Sequence, residues 1–179
     1  LDMWDEQLAR VGAVICENRR EAVAKLGELA RSAHLSLTDG REELNLRYVS
    51  QVADASNVYE ALLERLSRAR NEDLRRMTTT VGVHRDDIAI TIDGREARTF
   101  ASQGQQRSVS LALKLAEGER IREETGEYPV FLLDDILSEL DADRRNYVLQ
   151  GFGGKQILIA SCEEVAGGSK RFLARQGSY

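Results

Sequence analysis

Apolar residues recur at intervals of three and four along the first third of the chain, which predicts amphipathic helices. The first stripe contains Leu1, Trp4, Leu8, Val11, Ile15, Ala22, Leu26, Leu29 and Ala33. The second contains Val52, Ala55, Tyr59, Leu62, Leu66 and Ala69. Such spacing is typical of two helices packed along a seam. An ordinary helical subdomain is the simplest interpretation of this region.

Between the two stripes the apolar period changes from helical spacing to two. Leu35 and Leu37 precede the turn-forming pair Asp39-Gly40, and alternating apolar residues follow it over 44–48. This pattern predicts a β-hairpin. We therefore expect residues 1–80 to form a helical arm of two long antiparallel helices with a small β-hairpin between them.

Beyond residue 80 the pattern is that of an α/β domain. Isoleucines alternate with polar residues over 88–92 and Asp93-Gly94 follows, which predicts a second hairpin. A helix is predicted over about 105–124. The apolar runs VFLLDD (130–135) and QILIAS (156–161) are typical of parallel strands buried on both faces.

A helix predicted from about Ala142 separates these two runs, so the strands are expected to be parallel neighbours. The predicted fold class is therefore α/β, with parallel-sheet strands plus helices in residues 81–179 and a helical arm subdomain before them.

Composition and charge narrow the function classes. The formal net charge of −5 gives no overall attraction to nucleic acid, although a local basic face would. Cys16 and Cys162 lack metal-site spacing, as expected in a reducing compartment. There is no signal-peptide pattern and no apolar run of about 20 residues. We expect a cytoplasmic protein without a membrane segment, and the opening LDMWDEQLAR, which lacks an initiator Met, indicates a fragment.

The SQGQQR segment, residues 102–107, lies at the mouth of the long predicted helix. Ser102 fits the N-cap position, and Gly104 lets the backbone approach a ligand closely. Free N–H groups and the helix dipole would favour an anion such as a phosphate there. Taken alone, an ordinary helix cap explains the segment better.

Asp134 and Asp135 end an apolar strand at the carboxyl edge of the predicted sheet, where ligands of α/β proteins bind. Asp134 would supply a hard oxygen ligand to Mg²⁺, and Asp135 would orient or deprotonate a water molecule. The alternative is that the pair only caps the following turn.

Together these motifs resemble those of ABC-type ATPases. The SQGQQR segment resembles their signature motif, VFLLDD their Walker B strand, and SELD, from Ser138 to Asp141, their D-loop. The Gln at the second signature position and the Asp-Asp pair are more specific. With HRDD at 84–87, EETGEYPVFLLDD and the opening LDMWDEQLA, they make nearly the whole chain similar to the C-terminal half of the RecF family of bacterial recombination mediators.

The resemblance implies a cytoplasmic ATPase with an ABC/SMC-type head and a helical second domain. ATP and Mg²⁺ would be its cofactors, and ATP binding would drive homodimerisation on DNA at single-strand gaps and duplex junctions. RecO and RecR would be its partners, and together they would help load RecA.

The resemblance also implies residue roles. Asp134 would serve Mg²⁺, Asp135 would be catalytic through the water, and Ser138 and Asp141 would form the D-loop at the dimer interface. The remaining residues would bind, or support the binding of, the γ-phosphate of ATP held by the opposite protomer: Ser102, Gln103, Gly104, Gln105 and Gln106.

This sequence departs from the RecF pattern in two places and from that of many ABC ATPases in a third. It contains no G-x-x-x-x-G-K-[ST], so the Walker A lobe is expected before residue 1 and the fragment alone is expected to be inactive. Val83 stands where relatives usually have Pro. Ser161 or Cys162 occupies the position at which many ABC ATPases have a switch His; RecF-like proteins also lack this His, and the γ-phosphate sensor is left unassigned.

Two other functions stay open from the residues alone: another ABC/SMC-class ATPase head, or a non-enzymatic helical interaction module. For His84, a structural bond to a nearby carbonyl is favoured over a nucleotide contact. Trp4 is expected in the core. A solvated, ion-paired helix face is favoured over a DNA groove for Arg65, Arg68, Arg70, Arg75 and Arg76.

Overall fold

The computed structural model describes residues 2–134, 145, 154–162, 170 and 172. The helices are α1 (Asp2–Leu37), α2 (Val58–Arg76), α3 (Ala97–Phe100) and α4 (Gln103–Thr125), with a 3₁₀ turn at Val83–Arg85. The strands are β1 (Leu44–Val49), β2 (Asp87–Ile92), β3 (Arg95–Glu96), β4 (Phe131–Asp134) and β5 (Ile157–Ala160). The chain divides into two compact units, residues 1–120 and 121–179.

The long first helix is confirmed, but its buried face is not the predicted stripe. Ala9, Gly12 and Cys16 are among the buried residues of α1, whereas Trp4 and Val11 are each 59% exposed. Small residues on the buried side allow close approach, since a Cβ at Gly12 would lie 3.0 Å from Leu62 Cδ1 on α2. The prediction that Trp4 is a core anchor is therefore wrong.

The β-hairpin predicted around Asp39-Gly40 is also wrong. Helix α1 continues through Leu37, and Asp39 and Gly40 end it with φ angles of 51° and 71°. The Gly40 N–H donates to the Leu35 carbonyl at 2.7 Å, as in a helix C-terminal motif. An Asp-Gly pair fits both a hairpin turn and a helix end, because both require positive φ.

Strand β1 instead pairs antiparallel with β2, with Leu44 opposite Ile92 and Tyr48 opposite Ile88. The sheet thus joins residues on both sides of residue 80, the predicted domain boundary. The second predicted hairpin is confirmed: β2 and β3 are antiparallel, and Asp93 has the positive φ of a type I′ turn.

The core of the first unit lies where α1 and α2 meet and where α1 covers the sheet. Leu62 is 2% exposed, and burial of such a side chain stabilises the fold by about 1.5–3 kcal/mol. Helix α2 begins later than its apolar stripe, because Asn57 caps it by accepting from the Glu60 N–H at 3.2 Å. Val52 precedes the helix but is still buried in this core.

In the second unit β4 and β5 are parallel, with Leu132 opposite Leu158, and the predicted α/β class is confirmed. Burial on both faces is not found: Phe131 and Leu133 are buried, while Leu132 is 71% and Leu158 56% exposed. These two leucines are neighbours in the register and leave one apolar face open. The helix predicted from about residue 142 lies outside the described residues, Arg145 excepted, which is helical.

Candidate functional site

Helix α4 begins with a capping box, in which Ser102 is the N-cap and Gln105 the third helical residue. The Ser102 hydroxyl accepts from the Gln105 backbone N–H at 3.3 Å, and the Gln105 side-chain oxygen accepts from the Ser102 N–H at 2.9 Å. The first backbone bond runs from the Gln106 N–H to the Ser102 carbonyl at 2.9 Å. The helix therefore starts two residues earlier than predicted, where Ser-x-x-Gln allows this cap.

The capping box leaves two backbone donors open at the N-terminus of α4. Within the described residues, the N–H groups of Gln103 and Gly104 have no hydrogen-bond partner. Ser102 and Gln103 are exposed, and Gly104 is half-buried. Two free donors and a hydroxyl at the positive end of a 23-residue helix favour an anionic ligand. The cap and the predicted anion site are thus compatible.

The rest of α4 holds this N-terminus in place. Gln106 is exposed, and its side-chain amide donates to the Ala101 carbonyl at 3.1 Å. The Ser108 hydroxyl, fully buried, donates to the Gly104 carbonyl at 2.9 Å. The helix buries its inner face in the protein through Ser108, Val109, Leu111, Ala112, Leu115, Ala116 and Gly118.

The SQGQQR segment is also bound to the loop that joins α1 to β1. The Gln105 side-chain amide donates to Glu42 Oε1 at 3.1 Å, and the other oxygen of Glu42 lies 3.2 Å from His34 Nε2. His34 is fully buried. Sequence reasoning missed Glu42, because no periodic pattern connects residues so far apart in the chain.

Asp134 ends β4 at the carboxyl edge of the two-stranded sheet, opposite Ala160. Its side chain is exposed, and within the described residues it makes no hydrogen bond or ion pair. Both carboxylate oxygens are thus available to a hard cation. The other predicted residues of this edge, Asp135, Ser138 and Asp141, lie outside the described residues. Asp134 belongs to the second unit and the SQGQQR segment to the first.

The HRDD segment is a structural junction. His84 Nε2 lies 3.0 Å from the Thr79 carbonyl, which confirms the structural interpretation of this histidine. Asp86, whose side chain is 4% exposed, accepts from Arg19 at 3.0 Å and from the Tyr48 hydroxyl. The segment thereby ties α1 and β1 to the start of β2.

Most arginines of α2 are ion-paired. Arg68 pairs with Glu64, and Arg75 and Arg76 both pair with Glu72. Arg70 contacts two aspartates of α1 and, through its hydrogen bond, lowers the pKa of Asp2. This arrangement supports the solvated helix face over a DNA groove.

Two further properties concern the described residues as a whole. No group of three or more His, Cys, Asp or Glu side chains in that part of the chain could hold a metal ion. Nor does any helix there combine the length and apolarity that crossing a bilayer requires.

Comparison with known proteins identifies relatives of this chain. It is 42% identical over 159 residues to the DNA replication and repair protein RecF of Clostridium botulinum (strain ATCC 19397 / Type A). It is 48% identical over 153 residues to the protein of the same name from Symbiobacterium thermophilum. These alignments cover 89% and 82% of this chain, but only 44% and 41% of the relatives. No known family profile matches the chain.

Two solved structures of the recombination mediator protein RecF in the RecFOR pathway are similar in fold. The one with ATP has a TM-score of 0.80 at 36% identity, covering 94% of this chain and 46% of that one. The one with ATPrS has a TM-score of 0.79 at 36% identity, covering 90% and 45%. The chain therefore belongs to the RecF family and corresponds to the C-terminal part of its members.

Proposed function

We propose that the chain is the C-terminal half of an ATPase of recombinational DNA repair, which dimerises on ATP and helps load RecA at single-strand gaps. The observation that carries the proposal is the N-terminus of α4. There, Ser102 caps the helix, while the N–H groups of Gln103 and Gly104 have no partner in the part of the chain that the structure describes. The relative that was solved with ATP supports a nucleotide as the anion.

In this proposal the SQGQQR segment acts in trans. The γ-phosphate of ATP held by the opposite protomer accepts hydrogen bonds from Ser102, Gln103 and Gly104. Fixed donors of this kind stabilise the negative charge of the phosphate, both in bound ATP and in the transition state of hydrolysis. Gln105 and Gln106 do not need to reach the phosphate. They support the segment through their bonds to Ser102 and Ala101.

The carboxyl edge of β4 serves the metal and the water. The carboxylate of Asp134, which is unpaired within the described residues, fits Mg²⁺, and the ion would neutralise charge on the phosphates when bound. Asp135 follows it in sequence and would orient the attacking water or accept its proton. Ser138 and Asp141 would contact the partner protomer as a D-loop.

The partners follow from the family. DNA at single-strand gaps and duplex junctions, RecO and RecR would act with the dimer, and RecA would be reached indirectly. The pathway that is named for the solved relatives, RecFOR, supports this assignment. The ion pairs of Arg68, Arg70, Arg75 and Arg76 favour a solvated face of α2 over a DNA groove.

The test is Ser102→Arg in the full-length protein. A long charged side chain would enter a space sized for a hydroxyl, and such overpacking costs about 1–3 kcal/mol. We expect ATP-driven dimerisation, measured by sedimentation, to weaken about tenfold or more. ATP affinity at low protein concentration should be unchanged, because the phosphate loop lies on the other lobe.

Ser110→Arg is the matched control, since Ser110 is exposed on the same helix and its hydroxyl donates to the Gln106 carbonyl of that helix. It should leave dimerisation intact. Loss of both ATP affinity and dimerisation in Ser102→Arg would place the segment in its own nucleotide pocket. Loss of neither would reduce it to a helix cap.

A further inference from the structure

We propose that Glu42 is a positioning residue for the SQGQQR segment. It holds the Gln105 side chain from the loop that joins α1 to β1 and so couples that loop to the N-terminus of α4. The inference rests on the proposed function of this segment in ATP-driven dimerisation. It adds a residue that the ATPase motifs do not contain.

The contacts of Gln105 fix the orientation of its amide group. Its oxygen accepts from the Ser102 N–H at 2.9 Å, and its nitrogen donates to Glu42 Oε1 at 3.1 Å. A flipped amide would place donor against donor at Ser102 and acceptor against acceptor at Glu42. An ionised carboxylate can only accept, so Glu42 enforces the orientation that the capping box requires.

Glu42 is itself held on its other side. Its Oε2 lies 3.2 Å from His34 Nε2, within hydrogen-bond distance. His34 is fully buried, and Glu42 is 19% exposed, so this bond is largely shielded from water. One carboxylate oxygen of Glu42 therefore contacts the buried His34, and the other accepts from Gln105 of the SQGQQR segment.

The backbone around Glu42 is anchored as well. Before it, the Arg41 N–H donates to the Thr38 carbonyl at 3.1 Å. After it, the Glu43 N–H donates to Asp93 Oδ1 and the Asp93 N–H returns to the Glu43 carbonyl, both at 2.9 Å. A support placed by two neighbours is pre-organised, which is what a positioning residue needs.

Loss of Glu42 would release the Gln105 amide from this orientation. The capping box would then lose its side-chain acceptor for part of the time, and the Ser102 N–H and hydroxyl would no longer be held at one place. Because phosphate contacts depend on fixed donors, binding in trans should weaken while the phosphate loop of the same protomer is unaffected.

The test uses five variants of the full-length protein, one of them a control. Glu42→Ala and Gln105→Ala each remove one side of the contact, and the variant with both substitutions completes a double-mutant cycle. Glu42→Gln is the conservative variant, because its amide oxygen can still accept from Gln105. Glu43→Ala is the matched control, since Glu43 is the neighbouring acidic residue and pairs with Arg31 at 2.6 Å.

We expect Glu42→Ala to weaken ATP-driven dimerisation about tenfold. Gln105→Ala should do the same, and the double variant should show about the same loss and not the product. Glu42→Gln should recover most of the affinity, and Glu43→Ala should resemble the wild type. ATP binding by the monomer, which reports the fold, should be unchanged in all of them.

Additive losses, or no loss for Glu42→Ala in a folded protein, would overturn the inference. So would a Glu42→Gln variant as weak as Glu42→Ala. If Glu42→Ala fails to fold, Gln105→Ala and Glu42→Gln still decide the question, since each leaves the bond to His34 possible. Ser102→Arg separates the two proposals: if it weakens dimerisation and Glu42→Ala does not, only the positioning role of Glu42 fails.

Discussion

Tyr48 illustrates how one side chain can connect three parts of the first unit. It is 6% exposed, its ring packs in the core, and its hydroxyl donates to the buried carboxylate of Asp86. Arg19 donates to the same carboxylate from α1. Removing one donor from a buried acceptor costs about 1–3 kcal/mol, so Tyr48→Phe should lower the free energy of unfolding by this amount at neutral pH.

The same residue predicts a pH dependence. Two causes raise the pKa of Tyr48 above its ordinary value of 10.0: burial is the larger, and the hydrogen bond to Asp86 is the second. Since the folded-state pKa is the higher one, the stabilisation is fully present below pH 10 and is lost as the pH rises through the folded-state value. In urea unfolding, wild-type stability should therefore fall more steeply above pH 10 than that of Tyr48→Phe.

Tyr59→Phe is the control for this pair, because the Tyr59 side chain makes no hydrogen bond in the part of the chain described. It should follow the wild-type pH dependence. Parallel stability curves for the wild type and Tyr48→Phe at alkaline pH would contradict the prediction.

At the scale of elements, the two interior glycines of α1 differ in the space that is available for an added side chain. A Cβ at Gly27 would lie 3.4 Å from Leu46 Cβ, an ordinary contact, whereas at Gly12 it would lie 3.0 Å from Leu62 Cδ1. Replacing a helical glycine by alanine gains about 0.5–1 kcal/mol of helix stability where the Cβ fits. Gly27→Ala should gain this in full, and Gly12→Ala less, because Leu62 must shift.

The measurement is the free energy of unfolding in urea for both variants. A cavity of about 140 Å³ beside Gly12 and Leu62 gives Leu62 some room, so Gly12→Ala should still fold. A larger gain for Gly12→Ala than for Gly27→Ala would mean that the α1–α2 contact is looser than these distances.

Helix existence was predictable from period alone, but strand pairing was not. The apolar spacing located α1, α2 and α4, and Asp93-Gly94 located the β2–β3 turn. Asp39-Gly40 led to a wrong hairpin prediction, because positive φ is needed both by a hairpin turn and by a helix end. Strand β1 pairs with β2 although the whole of α2 lies between them in the sequence. No local pattern predicts a pairing over that distance.

The same limit applies to the site at the scale of the whole molecule. The order of three motifs predicted an ABC-type ATPase, and the variant residues within them, with HRDD, EETGEYPVFLLDD and the opening LDMWDEQLA, predicted the RecF family. Glu42 was not predictable, because its bond to Gln105 joins residues 63 positions apart. The prediction for the buried face of α1 is wrong because Ala9 and Gly12 add little to an apolar pattern. Their small size nevertheless decides which face of the helix is buried.

The last prediction concerns this chain by itself. Two open N–H groups and a hydroxyl at one helix end are weak ligands for ATP, because the lysine and backbone cradle of a phosphate loop supply most of the grip. The chain contains no such loop sequence. Once circular dichroism has established that its helices are present, equilibrium binding of labelled ATP should give a dissociation constant no tighter than about 1 mM. The full-length protein should bind far more tightly, and Ser102→Arg should change neither value. Micromolar binding by the chain alone that Ser102→Arg abolishes would place the nucleotide in this protomer's own SQGQQR segment, and the in-trans arrangement would be wrong.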